Sequence, residues 1–221
     1  MMIRISYPLS VTTPLYPGTP DIEIHHLRSI ANGDSANTST LKLSTHSGTH
    51  IDVPSHFCAN GKTVSDILES QNEFFPTFLI DIPKKNSVIT PTDIEPFADH
   101  LKGAKGLLIR TGMHRSRNTH PKEYTTENPW IHPNVPDFLR KTFPDIRIFG
   151  TDTISVSNPS QKADGRLCHR NFLCEFPEIV LLEDLDLSSK SIPDTSFRML
   201  VYPWVFDRID GVPVMVFAEI V

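Results

Sequence analysis

The segment His46-Ser47-Gly48-Thr49-His50-Ile51-Asp52-Val53-Pro54-Ser55-His56-Phe57 places three imidazoles and a carboxylate at alternate positions. Neutral imidazole nitrogens and carboxylate oxygens are the donors that zinc, manganese or ferrous iron accept. A helix would bring His46 and His50 to one face, as in the H-E-x-x-H zinc helices. Gly48, Thr49, Ile51, Val53 and Pro54 argue instead for an extended chain, since β-branched residues and proline are poor helix formers. Residues two apart in an extended chain share a face. His46, Gly48, His50 and Asp52 are therefore expected to line one side, with Gly48 leaving space for a metal ion and its water. Four aligned metal-capable groups in so short a stretch predict a divalent-metal site. His25, His26, His100, His114, His120 and His132 sit in no such pattern and are given no role.

Something must hold that segment in place. Apolar or alternating runs suited to strands occur at 22–27, 39–51, 77–82, 106–111, 146–151, 179–182, 199–205 and 212–221, each bounded by turn residues. Helical patterns occupy 65–69, 92–101 with Thr92 as a cap, 135–143 and 169–175. Runs such as 106–111 and 146–151 are almost continuously apolar, as in strands buried on both faces, and the last two strands are expected to pair as a hairpin turning at Asp210-Gly211. The 19 prolines are scattered along the chain and mark no single hinge, so 1–221 is read as one β-rich α/β domain.

At 221 residues the chain can bury a sizeable core without a disulfide or a structural metal. A net charge of −5, with nothing more basic than Pro83-Lys84-Lys85-Asn86, advertises no surface for nucleic acid. No run approaches the ~18 apolar residues of a spanning helix, and the start of the chain lacks the apolar stretch of a signal peptide, so a cytoplasmic protein without membrane contact is expected. Cys58, Cys168 and Cys174 are odd in number and form no C-x-x-C pair, which predicts free thiols in a reducing compartment.

The string H-x-G-T-H-x-D-x-P-x-H-F, as it stands at 46–57, resembles the signature of the metal-dependent cyclase family, which includes the bacterial kynurenine formamidases (arylformamidases) and the isatin hydrolases. The likeness runs along most of the chain. Pro14-Leu15-Tyr16-Pro17-Gly18 is similar to the family's P-v-[WY]-P-G, and Gly61-Lys62-Thr63-Val64 to its G-x-T-v. Gly150-Thr151-Asp152-Thr153-Ile154-Ser155 resembles G-i-D-t-x-S, and His169-Arg170-Asn171-Phe172-Leu173 with Leu182-Glu183-Asp184-Leu185 resembles H-R-x-x-L … x-E-x-L. Ser6-Tyr7 departs from the family's D-L-S opening by lacking the acid. The interval from His169 to Glu183 is about two residues longer than usual, which leaves Glu178 as a second candidate for the distal carboxylate.

The resemblance implies a swivelling β/β/α fold, a homo-oligomer (dimer or tetramer) with the active site near a subunit contact, and one or two divalent ions per chain, zinc or else manganese. It implies that His46, His50 and Asp52 hold a first metal, and that Asp52 and Glu183 are shared with a second held by His169. It makes His56 the catalytic acid/base and Tyr16 a substrate contact, with Phe57 beside it, while Phe74, Phe75 and Trp204 are further candidates for an apolar wall. The residue types suit these roles: a carboxylate has two oxygens with which to span two cations, and an imidazole with an ordinary pKa of ~6.5 exchanges protons at neutral pH. The expected reaction is hydrolysis of a C–N amide bond in a small molecule, an aryl formamide such as N-formylkynurenine or a cyclic amide such as isatin. Cyclase chemistry on a small metabolite, or a catalytically silent metal- or ligand-binding module, are the alternatives. A polysaccharide-type deacetylase shares H-S-x-x-H but needs an aspartate-rich T-F-D-D-G strand upstream, and residues 1–45 contain only Asp21 and Asp34.

Overall fold

The computed structural model describes residues 1–68 and 71–220; the expected helix end at Glu69 and strand end at Val221 lie outside the described residues. The strands are β1 (Met2–Arg4), β2 (Glu23–Arg28), β3 (Thr38–Lys42), β4 (His50–Asp52), β5 (Glu73–Asp81), β6 (Val88–Ile89), β7 (Gly106–Arg110), β8 (Trp130–Ile131), β9 (Ile148–Thr151), β10 (Val180–Glu183), β11 (Phe197–Pro203) and β12 (Gly211–Glu219). The helices are α1 (Val64–Leu68), α2 (Pro91–Ile94), α3 (Pro121–Thr126), α4 (Val135–Thr142) and α5 (Lys162–Leu173).

One sheet dominates, in the order β1-β12-β11-β5-β7-β9-β10-β4, and β4 also pairs with β12. That second pairing closes seven strands into a barrel-like ring, with β1 attached beyond β4 along the same edge of β12. The parallel block β5, β7, β9 and β10 carries the almost uniformly apolar runs, and every residue of β9 and β10 is buried. Alternation along the strands makes two cores. Ile51, Leu108, Ile148, Val180, Leu182, Val212 and Val214 fill one, inside the ring. Leu107, Ile109, Phe149 and Leu181 point the other way, against Leu139 of α4 and Cys168 and Phe172 of α5. This is the β-rich α/β architecture expected from the strand count.

Several boundaries differ from the sequence reading, each for a local reason. The expected strand at 39–51 splits into β3 and β4 because Gly48 adopts φ +65, a left-handed conformation that breaks an extended run. Helix α2 is capped by Thr90 rather than Thr92: Thr90 and Asp93 form a capping box around Pro91, and a short 3-10 turn at Glu95–Phe97 follows. The helix expected at 169–175 is α5, which starts at Lys162 and contains His169 near its end. β11 and β12 do pair antiparallel, but 204–210 connect them and Gly211 is already the first residue of β12, so Asp210-Gly211 is not a two-residue turn. Helix α3, led by Pro121, was not marked by the apolar periodicity.

The expectation of three free thiols is corrected. Cys58, just past the His56 turn, and Cys174, capping α5, form a disulfide, while Cys168 remains free and buried. A pairing across 116 residues leaves no trace in local spacing. No helix among the described residues is long and apolar enough to cross a membrane.

Candidate metal and catalytic centre

β4 and β10 run antiparallel with His50 directly opposite Glu183. Ile51, Val53, Val180 and Leu182 point into the ring, so the alternate residues His50, Asp52 and Glu183 face outward. Helix α5 packs over that side through Cys168, Phe172 and Leu173 and presents His169 to the same point. All four side chains are buried, between 1% and 6% exposed.

Their donor atoms are spaced as ligands of one or more small cations. His50 Nε2 lies 3.2 Å from Asp52 Oδ1 and 3.4 Å from Glu183 Oε2. His169 Nε2 lies 3.6 Å from Asp52 Oδ2 and 3.4 Å from Glu183 Oε1. Tetrahedral ligands about 2.0–2.1 Å from a metal stand ~3.3 Å apart, so these edges fit a metal without rearrangement. Each carboxylate turns one oxygen to His50 and the other to His169, the disposition needed to span two cations. The tautomers are set as well. His50 Nδ1–H donates to the Gly48 carbonyl at 2.8 Å and His169 Nδ1–H to the Gly165 carbonyl at 2.7 Å, leaving both Nε2 lone pairs on the cluster. Ser155 Oγ and the Val156 amide donate to Glu183 Oε1 at 2.9 and 2.7 Å and fix its orientation.

His46 joins the group from a turn rather than from the strand. Its Nδ1 lies 2.7 Å from Asp52 Oδ1, on the side of the cluster, and its Nε2–H donates to Asp210 Oδ2 at 3.0 Å. Burial disfavours charge on this ring, but Asp52 and the hydrogen bonds to Asp210 and Asp52 outweigh it and raise its pKa to about 9. Burial likewise opposes charge on His50 and His169, and their carboxylate neighbours raise both above the ordinary imidazole value. Burial alone would push Asp52 and Glu183 up; the facing imidazoles hold Asp52 well below the carboxylate range and bring Glu183 to about 2.

The role expected of Gly48 is corrected. A Cβ there would lie 2.3 Å from Leu9 Cδ2, so its bare backbone accommodates Leu9 and not a metal. The glycine that gives the site room is Gly211, where a Cβ would come within 2.5 Å of His46 Cε1. The adjacent Asp210 was missed by the sequence reading, which took Asp-Gly as a turn. One of its oxygens accepts from both His46 Nε2 and His56 Nδ1, at 3.0 and 2.9 Å. Those two bonds, His46 first, hold its carboxyl far below the usual range.

His56 lies outside the four-donor cluster, its ring 4.0 Å from that of His46 and edge-on to Phe57. Phe57 stacks on His169 at 4.9 Å. Tyr16, Phe57, His56 and the metal-capable residues all line one cavity of about 400 Å³. The other aromatic candidates do not reach it. Phe74 is buried in the ring, Phe75 sits near Arg198, and Trp204 is 48% exposed beside Phe206. Glu178, the second candidate for the distal carboxylate, pairs with Lys62 instead. The Gly150–Ser155 segment divides its work. Ser155 steadies Glu183, whereas Asp152 accepts bonds from Thr111, Gly112 and His114 and anchors the loop after β7.

The Cyclase family model, described as putative cyclase, matches residues 3–158. A kynurenine formamidase of Bacillus anthracis is 32% identical over 212 residues, covering 96% of this chain and 94% of that protein. Isatin hydrolase A from Labrenzia aggregata, solved bound to benzyl benzoate, superposes with a TM-score of 0.80 at 19% identity, covering 99% and 93% of the two chains. A structure described as a potential metal-dependent hydrolase with cyclase activity superposes with a TM-score of 0.75 at 21% identity, covering 99% and 96%.

Proposed function

The chain belongs to the cyclase family, and on that premise we propose that it is a metal-dependent hydrolase of a C–N amide bond, with an aryl formamide as its substrate. The observation that carries this reading is the juxtaposition of four buried donors at metal-ligand spacing with a separate imidazole, His56, in the same cavity. In this reading His46, His50 and Asp52 would hold one cation and His169 a second, with Asp52 and Glu183 shared between the two. The ions are zinc, or manganese as the alternative, because borderline and hard nitrogen and oxygen donors suit either. A bound cation supplies Lewis acidity, lowering the pKa of water and polarising the amide carbonyl.

The residues of the chain supply the rest. Asp210 holds the His56 ring through Nδ1–H, leaving Nε2 to exchange a proton with the departing amine. Phe57 and Tyr16 offer an aromatic body its apolar wall. We further infer a homo-oligomer: among the described residues the β2–β3 ribbon pairs only with itself, it exposes Ile24, Leu27 and Leu41, and an isolated two-stranded ribbon is marginally stable in water. Light scattering tests that inference.

His56→Ala is expected to keep its metal and lose about 10²–10⁴-fold in kcat on aryl formamides, the usual worth of general acid–base catalysis. Turnover within about threefold of wild type, with metal retained, would remove His56 from the reaction. Assaying isatin beside N-formylkynurenine separates ring opening from formamide hydrolysis.

Ligand imidazoles must shed their protons to take a metal. Because carboxylate neighbours raise His46 to about 9, protons compete with metal throughout the neutral range and metal affinity grows as pH rises toward that value. Activity is expected to fall with acidification, to collapse below about pH 6, and to return in part with excess zinc or manganese. Acid inactivation indifferent to added metal would contradict this.

A further inference from the structure

Two pieces of chain meet beside the cavity without strand pairing. One is the 3-10 turn Pro54–His56 with Phe57 and Cys58 behind it; the other is the end of α5, which carries His169 and is capped by Cys174. Phe57 lies between them, stacked on the His169 ring at 4.9 Å and edge-on to His56 at 4.7 Å. The backbone bonds of the turn are local: the Cys58 amide donates to Pro54, Ser55 to Lys62 and Gly61 to Cys58, at 2.9, 3.0 and 2.9 Å. The Cys174 amide likewise donates back to Arg170 within its own helix. Between the two pieces run the Cys58–Cys174 disulfide and the ion pair of exposed Lys62 with Glu178, and a surface pair of that kind is worth little. The covalent bridge therefore stands next to Phe57 in sequence and five residues beyond His169.

We propose that the Cys58–Cys174 disulfide is a positioning element of the active site, clamping the His56-Phe57 turn onto the helix that carries His169, so that turnover is full only with the bridge closed and responds to dithiols. This deepens the amide-hydrolase reading and rests on it for turnover. With the bridge closed, Phe57 is pinned against His169, and His56 stays where Asp210 accepts its Nδ1–H at 2.9 Å. With it open, the turn is left to that bond, the ring stack and the Lys62 pair, and a misplacement of about 1 Å in a catalytic group can cost ~10²-fold in rate. Both cysteines are half-buried, so a small dithiol reaches the sulfurs. The dithiol delivers two electrons and two protons: the protein S–S bond breaks to two thiols, and the dithiol closes to its own disulfide. Oxidised glutathione, through a mixed disulfide, runs the exchange the other way and leaves as two glutathione thiols. Cys168, free and buried, takes no part.

The test uses the metal-loaded protein treated with oxidised glutathione; the same protein reduced with dithiothreitol, freed of it and resupplied with metal; and a double variant, Cys58→Ser with Cys174→Ser. Thiol titration in denaturant is expected to find Cys168 alone in the oxidised form and all three cysteines in the reduced one. Opening the bridge is expected to lower kcat on N-formylkynurenine by about 10–10²-fold with metal retained, and reoxidation to restore it. The double variant should match the reduced protein and ignore dithiothreitol. A crosslink of this span also stabilises the fold, so every form is assayed well below the lowest Tm among them. Amide hydrogen exchange provides a readout that needs no turnover: residues 55–61 and the end of α5 should exchange faster once the bridge opens, while β9 and β10 stay protected. Failure of the bridge to form under oxidised glutathione, or kcat and KM indifferent to its reduction, would overturn the clamp while the hydrolase reading stood. If no formamide is turned over yet exchange at 55–61 follows the bridge, the hydrolase reading fails and the clamp survives.

Discussion

Asp52→Asn is expected to abolish metal binding and lower formamide turnover by on the order of 10³–10⁴-fold, about 4–5 kcal/mol of barrier at 1.36 kcal/mol per decade. The side chain keeps its size, so the barrel should still form. Its chemistry changes at three contacts at once: Oδ1 faces His46 at 2.7 Å and His50 at 3.2 Å, and Oδ2 faces His169 at 3.6 Å. An amide presents one oxygen and one NH₂, so it cannot give both sides an acceptor and brings no negative charge to offset a cation. Elemental analysis and circular dichroism on the same sample separate loss of metal from loss of fold. A variant that stayed folded, kept its metal and worked within about tenfold of wild type would refute Asp52 as a ligand.

Arg117→Met is expected to cost about 3–5 kcal/mol of stability, because it leaves a buried carboxylate without its cation. Asp184, fully buried beside Glu183, receives Arg117 Nε–H and Nη2–H at 2.6 Å each and Tyr124 Oη–H at 2.5 Å, and the guanidinium lies 3.8 Å from the Tyr7 ring centre. Burial raises the Asp184 carboxyl despite Arg117, which marks how expensive its charge is there. For a chain of this size, ~2–4 °C per kcal/mol puts the fall in Tm on the order of 10 °C. The loss should reach the metal centre too, since the Asp184 backbone amide donates to Thr153 and its carbonyl accepts from Thr49, pinning the segments on either side of Glu183 and His50. Adding Asp184→Asn removes the stranded charge and should restore part of the stability. An Arg117→Met chain melting within about 2 °C of wild type would show that the ion pair contributes little.

Much of the site was legible because its members are close in sequence and of telling chemistry. His50 and Asp52 were paired on one face by strand alternation alone, and β4 obeys it. His169 and Glu183 required the family resemblance, because local spacing does not single out His169 on its helix or Glu183 from Asp184 and Asp186 beside it; register across β4 and β10 and the covering helix bring them in. Residues that act by proximity left no pattern. Asp210 looked like half of a turn, yet ring closure by β12 against β4 sets it beside His46 and His56, 164 and 154 residues away.

The sequence by itself determined which atoms could hold a metal, the strand-rich α/β class and the apolar runs that would be buried, since these depend on side-chain chemistry and on periods of two and 3.6 residues. The tertiary structure alone decided the rest. Glu183 and not Glu178 meets the cluster, because β10 pairs with β4 in one register while Glu178 turns to Lys62. Gly211 and not Gly48 makes room for an imidazole, and Cys58 finds Cys174. Each of these is a contact between segments far apart in the chain, settled by how the sheet closes and the helix packs on it, and local sequence carries no record of either.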